Sequence, residues 1–227
     1  MLTIGIVDDG VGVFPTLNKL KQAISAKFIC LVVEQSLSEA SPKQLLQIGA
    51  NSIQLLSNLG CDAVVLSSVV LSARCYRQLV VNSPVALFGC EAPVNHASTY
   101  TASHVLVAGE PSVLSAYRLQ GVIACPMPNF SALAELGNER DIVKYISLCC
   151  EPYYGQFDCI AIASSCMNMY RYCFSRVFPN VQIFDSLEGV ARRIRKKYKK
   201  CPKEDSICTV IDAHGNEITE KYSIFME

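Results

Sequence analysis

The chain has no surplus of either charge. Twenty Lys and Arg residues stand against twenty Asp and Glu residues in 227 positions. That balance argues against a protein that binds polyanions by bulk charge. With 18% charged and 51% apolar residues, the composition excludes wholesale disorder. No apolar run approaches the roughly 18–20 residues of a membrane span, so no membrane segment is expected. Met1–Val7 lacks the charged flank and small-residue cleavage site of a secretion signal. It reads as a strand already inside the fold. There is no C-x-x-C pair, and the only histidines, His96, His104 and His214, are scattered. No metal site is indicated by that spacing.

What the chain does have is cysteine, twelve in all. Several sit inside apolar stretches, such as Cys30 in Phe28–Val33 and Cys159 before Ile160. Buried, reduced thiols in a cytoplasmic protein are the expected reading.

Short apolar runs alternate with amphipathic stretches. Strands are expected at Leu2–Val7, Phe28–Val33, Ala63–Ser67, Val85–Gly89, His104–Ala108, Asp158–Ala163 and Val181–Phe184. Their near-continuous apolar character suits parallel strands buried on both faces. Ser41-Pro42 is an N-cap followed by Pro at the first helical position, and Leu45, Leu46, Ile53, Leu56 and Leu59 follow at helical spacing up to Gly60. Further helices are expected from about Phe14 to Ala26, over Pro111–Leu119 and over Leu187–Lys200. Ile207–Ile211 and the turn at Ala213–Asn216 read as a small terminal strand or hairpin. The alternation predicts an α/β fold with mostly parallel sheets.

A weak internal echo sharpens this. Cys61–Ser68 and Phe157–Ser165 both read as Asp, an apolar strand, then a hydroxyl-rich turn. Two similar α/β lobes, each giving strand C-termini to a central cleft, would produce it.

Several ordered segments resemble the aspartate/glutamate racemase superfamily, and glutamate racemase most closely. Ile4–Gly12 resembles that family's opening I-G-I-F-D-S-G-V-G. Asp62–Ala73 resembles D-A-I-V-I-A-C-N-T-A-S-A, and Gly89–Ala97 resembles G-I-E-P-A-V-K-P-A. Ala108–Tyr117 keeps Ser112, Val113, Ser115 and Tyr117 of a further motif. Ala124-Cys125-Pro126 with Glu135 resembles the A-C-P…E stretch, and Asp158–Asn168 resembles D-x-L-V-L-G-C-T-H-Y-P. The resemblance implies lobes of residues 1–91 plus 186–227 and of 92–185. It also implies cofactor-independent interconversion of L- and D-glutamate for peptidoglycan, and a homodimer, of which the sequence itself shows no interface.

The family's reaction needs two opposed groups that alternate as base and acid, and the family uses two cysteines. By the resemblance, Ser68 and Ser164 stand in those positions. A serine hydroxyl is a far weaker acid than a thiol and needs an activating base. Val65, Leu66, Ser67, Val69, Val70 and Leu71 flank Ser68 and supply none. The polar Asn-Thr pair of the family becomes Val69-Val70, and the His after the second cysteine becomes Cys166. Asp9 replaces a Ser, while Asp8, Ser72, Ser165 and Glu135 stay compatible with the family's substrate site.

Blander readings stand beside these. Asp8-Asp9-Gly10-Val11-Gly12 reads equally as a loop turn, with an acid–base pair as the sharper alternative. Val69-Val70 reads as an apolar turn packed against the other lobe. Cys166 reads as a buried small residue or as a displaced catalytic thiol. Tyr170, Tyr172 and Phe174 read as helix-face packing. Arg192–Lys200 carries seven basic residues in nine, either a solvated helix end or a patch for an acidic partner. The expected protein is therefore a racemase-like scaffold, inactive as a two-thiol racemase, that binds a small acidic amino acid or a replacement ligand. The alternative is an active racemase with non-standard groups.

Overall fold

Valine, isoleucine and leucine crowd the segments that become strands, and those side chains are shut away from water on both sheet faces. All of Ala63–Leu66 and Cys159–Ala163 is fully buried. Each such aliphatic side chain contributes about 1.5–3 kcal/mol on burial. A computed structural model describes residues 1–101, 104–115, 121–198 and 206–226.

The chain begins with β1 (Thr3–Asp9), α1 (Val13–Ala23), β2 (Lys27–Val33), α2 (Pro42–Asn58), β3 (Ala63–Leu66), α3 (Val69–Val81) and β4 (Ala86–Gly89). It continues through α4 (Val94–Tyr100), β5 (Val105–Gly109), α5 (Pro111–Leu114), β6 (Val122–Pro126), α6 (Phe130–Leu136), α7 (Glu139–Cys150), β7 (Cys159–Ala163), α8 (Arg171–Val177) and β8 (Gln182–Phe184). It closes with α9 (Leu187–Lys197) and β9 (Ile207–Ile211). The chain divides into two compact units, Met1–Cys90 with Leu187–Glu227, and Glu91–Ser186.

The first unit carries a five-stranded sheet in the order β4-β3-β1-β2-β9, and the second a four-stranded sheet in the order β6-β5-β7-β8. Every pairing is parallel. Without β9, the two orders are the same winding: β4-β3-β1-β2 matches β8-β7-β5-β6. The internal echo therefore falls on equivalent strands, β3 and β7.

Local signals explain the helices. At α2, Ser41 and Gln44 form a capping box, with Pro42 in the first turn. Asn138 caps α7, whose first turn holds Glu139 and Asp141 at the positive end of the dipole. Helix α9 buries Val190, Ala191 and Ile194 and packs on α1, where Lys19 pairs with Glu188. The C-terminal 3-10 turn Thr219–Phe225 lays Tyr222 and Phe225 against Phe14 of α1.

The eleven described cysteines are all free thiols, and nine are buried. Burial pushes Cys61 up to about 11.

Several expectations need correction. Val69-Val70 is not a turn; it opens α3. The first helix runs Val13–Ala23 and stops before Ile24, which is extended. Strand β6 and helices α3, α4, α6 and α7 add to the elements the sequence predicts, and α8 carries the expected helix at Tyr172 and Phe174. Tyr170 and Phe174 are buried, but Tyr172 is exposed. The terminal strand pairs in parallel with β2 rather than forming a full hairpin, and its one antiparallel bridge joins Ile211 to Glu217. Residues 116–119 of the Pro111–Leu119 helix, Tyr117 included, lie outside the described residues, as do Lys199 and Lys200.

Two glycines test the packing. A methyl on Gly109, in β5, would lie 2.9 Å from Ala163 Cβ and 3.0 Å from Ala163 O. Gly189, in α9, has nothing within 4 Å of such a methyl. Urea unfolding should show Gly109→Ala destabilised by about 1–3 kcal/mol. Gly189→Ala should be stabilised by about 0.5–1 kcal/mol.

Candidate functional site

In each sheet the winding reverses once. From β1 the chain moves outward to β2, then returns past β1 to β3; from β5 it moves to β6, then returns past β5 to β7. At such a reversal the loops leave toward opposite faces and open a crevice beyond the strand C-termini. Each candidate site is therefore built from the loops after β1 and β3, or after β5 and β7.

In the first unit β1 and β3 stay paired as far as Val7 and Leu66. Asp8, fully buried, and Asp9 follow on one strand; Ser67 and Ser68 follow on the other. The two carboxylates diverge. Asp8 Oδ1 accepts the Asp9 N–H at 2.9 Å, while Asp9 Oδ2 accepts the Leu37 N–H at 2.8 Å. Gly10 takes φ +58°, which a turn needs and glycine permits.

Hydroxyls then stitch the loops together. Thr16 and Ser67 hydroxyls lie 2.7 Å apart, and Ser67 donates to Gly12 O at 3.0 Å. Ser72 donates to Leu66 O and accepts the Cys90 N–H, both at 2.9 Å, which ties the ends of β3 and β4. In the sequence Ser67 is marked by its hydroxyl-rich turn, whereas nothing there marks Thr16.

Ser68 is the N-cap of α3. Its Oγ accepts the Leu71 N–H at 3.3 Å, and no other side-chain hydrogen bond of Ser68 occurs among the described residues. Val69 and Val70 form the first turn and are 2% and 7% exposed. The start of α3 is thus a capped serine followed by two buried valines.

In the second unit, Gly109 ends β5 and Glu110 follows it, while Ser164, Ser165 and Cys166 follow β7. All three of the latter are buried. Ser164 Oγ and Cys166 Sγ lie 3.2 Å apart. Glu110 is half-buried and sits where Asp8-Asp9 sits in the first unit; sequence reading missed it because only the equivalent winding marks it. Two polar atoms on these loops, Ser112 Oγ and Asn168 Oδ1, are buried with no hydrogen-bond partner among the described residues. Glu135 is exposed on α6. That helix is pinned to the turn after β7 by Tyr170, whose phenol donates to Ala134 O at 2.8 Å and is pushed up in pKa by burial.

The structure thus groups Asp8, Asp9, Ser68, Val69 and Val70 in the first unit, and Ser164, Ser165 and Cys166 in the second. Glu135 stands on the neighbouring helix. Among the described residues, no group of three or more His, Cys, Asp or Glu could hold a metal ion.

The cap role gives a stability test. Ser68→Ala should lower the unfolding free energy by about 0.5–2 kcal/mol, whereas Ser68→Gly should lose only a few tenths. Equal losses in urea unfolding would contradict the cap.

Comparison with known proteins follows the geometry. No protein-family model matches the chain, and no curated protein does. Solved structures match over nearly its full length. Glutamate racemase from Thermus thermophilus, in complex with β-chloro-D-alanine, is 18% identical with a TM-score of 0.81, covering 99% of this chain and 91% of that one. The Francisella tularensis enzyme in complex with D-glutamate is 11% identical with a TM-score of 0.80, covering 99% and 93%. Escherichia coli glutamate racemase, in complex with L-glutamate and the activator UDP-MurNAc-ala, is 15% identical with a TM-score of 0.78, covering 93% and 88%. Likeness at this identity speaks for architecture: the chain has the glutamate racemase fold.

Proposed function

We propose that this chain binds a small polar ligand at its strand ends and does not racemise amino acids by the two-thiol route. One observation carries the reading. Ser68 Oγ is engaged as a helix cap by the Leu71 N–H, and no base is hydrogen-bonded to it among the described residues. Proton abstraction from a Cα needs a group able to hold the proton near neutral pH. A capped hydroxyl without a base does not meet that need. By resemblance Ser164 holds the partner position, and among the described residues its hydroxyl hydrogen-bonds to Cys166 alone.

Binding is supported by the second unit. Buried Ser112 Oγ and Asn168 Oδ1 lack partners among the described residues. Leaving each so costs about 1–3 kcal/mol unless a ligand or water supplies the bond. The ligand is a small acidic amino acid or a replacement of similar size. The relatives' complexes with D-glutamate and L-glutamate favour the first class. The loss of polar groups at Val69 and Val70 favours the second.

A second reading rests on the Ser164–Cys166 contact. A single thiol there could serve one-sided proton chemistry, and Cys166→Ala would then abolish any measured turnover. A separate contact with an acidic partner is proposed for α9, where Arg192, Arg193, Arg195, Lys196 and Lys197 are exposed. Its binding would weaken steeply with added salt.

Growth of a D-glutamate auxotroph tests the main reading. The chain should leave the D-glutamate requirement intact. Ser68→Cys combined with Ser164→Cys should leave it intact too, because Val69 and Val70 still fill the first turn of α3. Growth on the unmodified chain would refute the loss of racemisation. Growth on the double variant would refute the weight given to the two valines.

A further inference from the structure

Helices α2 and α3 meet where Gly49 admits Leu71 and Leu79; a methyl on Gly49 would lie 2.7 Å from Leu79 Cδ1. Beside that contact the helices leave an open groove of about 490 Å³. It extends from Lys43 to Gln54, a rise of about 16 Å along α2. This volume falls within the range of ligand-binding clefts. The groove belongs to the first unit and lies on helix flanks, away from the loops after β1 and β3.

Its aliphatic lining is Leu46, Ile53, Leu79 and Pro84, of which Ile53 and Leu79 are buried and form the floor. Its walls carry four carboxamides, Gln47, Gln54, Gln78 and Asn82. Gln47 and Gln54 each donate to an asparagine one turn on, at 2.8 and 2.9 Å, which leaves their carbonyl oxygens available. The side chains of Gln78 and Asn82 make no hydrogen bond among the described residues. Lys43 is the sole charged residue of the lining, and no carboxylate joins it.

We propose that this groove binds an extended peptide segment of a partner protein, with aliphatic side chains on the floor and an acidic group at Lys43. A carboxamide donates and accepts at once, as a peptide group does. Four of them along an apolar floor match a main chain better than an acyl chain, which would leave each amide desolvated and unpaired. Five extended residues span about 16 Å, the length of the groove. The single positive charge sets the direction, with the acidic residue or a terminal carboxylate at the α2 N-terminal end.

A random heptapeptide library displayed on phage, panned against the purified full chain, tests this. Selected peptides should share two or more aliphatic residues and an acidic residue at one end. A labelled consensus peptide, followed by fluorescence anisotropy, should bind about tenfold more weakly to Ala50→Trp, which places a ring in the groove from an exposed helix position. The surface double variant Gln47→Ala with Gln54→Ala should weaken it similarly, and Lys43→Glu should remove the preference for an acidic end. Circular dichroism of each variant reports its fold. No enriched sequence family, binding unchanged in the folded variants, or binding of decanoate in place of any peptide would overturn the proposal.

Discussion

The reversal of winding beside β1, and again beside β5, is the constraint on which the rest of the structure depends. A parallel sheet must be fed by crossovers, and right-handed crossovers place helices on one face or the other according to the direction of travel. Where that direction changes, neighbouring loops part. The candidate site residues lie at those two partings: Asp8, Asp9, Ser67 and Ser68 in one unit, and Glu110, Ser112, Ser164 and Cys166 in the other. The same topology in both units places the two hydroxyl pairs, Ser67-Ser68 after β3 and Ser164-Ser165 after β7, at equivalent strand ends.

At the first parting, hydroxyls do structural work. Ser67 and Thr16 bind the β1 loop to the β3 end, Ser72 binds β3 to β4, and Ser68 starts α3. A serine at Ser68 satisfies an N–H that would otherwise be left without an intrahelical partner. A hydroxyl engaged in this way holds the start of α3 in place.

Much of the fold is legible in the sequence because parallel strands buried on both faces leave unbroken apolar runs. Leu2–Val7, Phe28–Val33 and Ala63–Ser67 are visible for that reason, and α2 is visible because Ser41, Pro42 and Gln44 mark its start. Helix α3 is hidden, since it opens on two β-branched valines that resume the apolar run of β3, with Ser67-Ser68 between them as the sign of a boundary. Strand β6 is hidden by its mixed burial, with Ala124 and Pro126 exposed on it. Helix α7 is hidden because its amphipathic stripe of Ile142, Ile146 and Cys150 is short and sparse. Of the candidate site, the residues after β3 and β7 are legible through the internal echo. Glu110 is not, because only the equivalence of β5 with β1 gives it meaning.

The chain has the glutamate racemase fold, and the proposed absence of two-thiol racemisation has a direct test. Proton NMR of L-glutamate, D-glutamate and aspartate incubated with the purified chain in deuterated water measures it at the bond concerned. The expected result is loss of the Cα–H signal no faster than in a protein-free control. Deuterium entering Cα faster than that control, and stopping on heat denaturation, would contradict it.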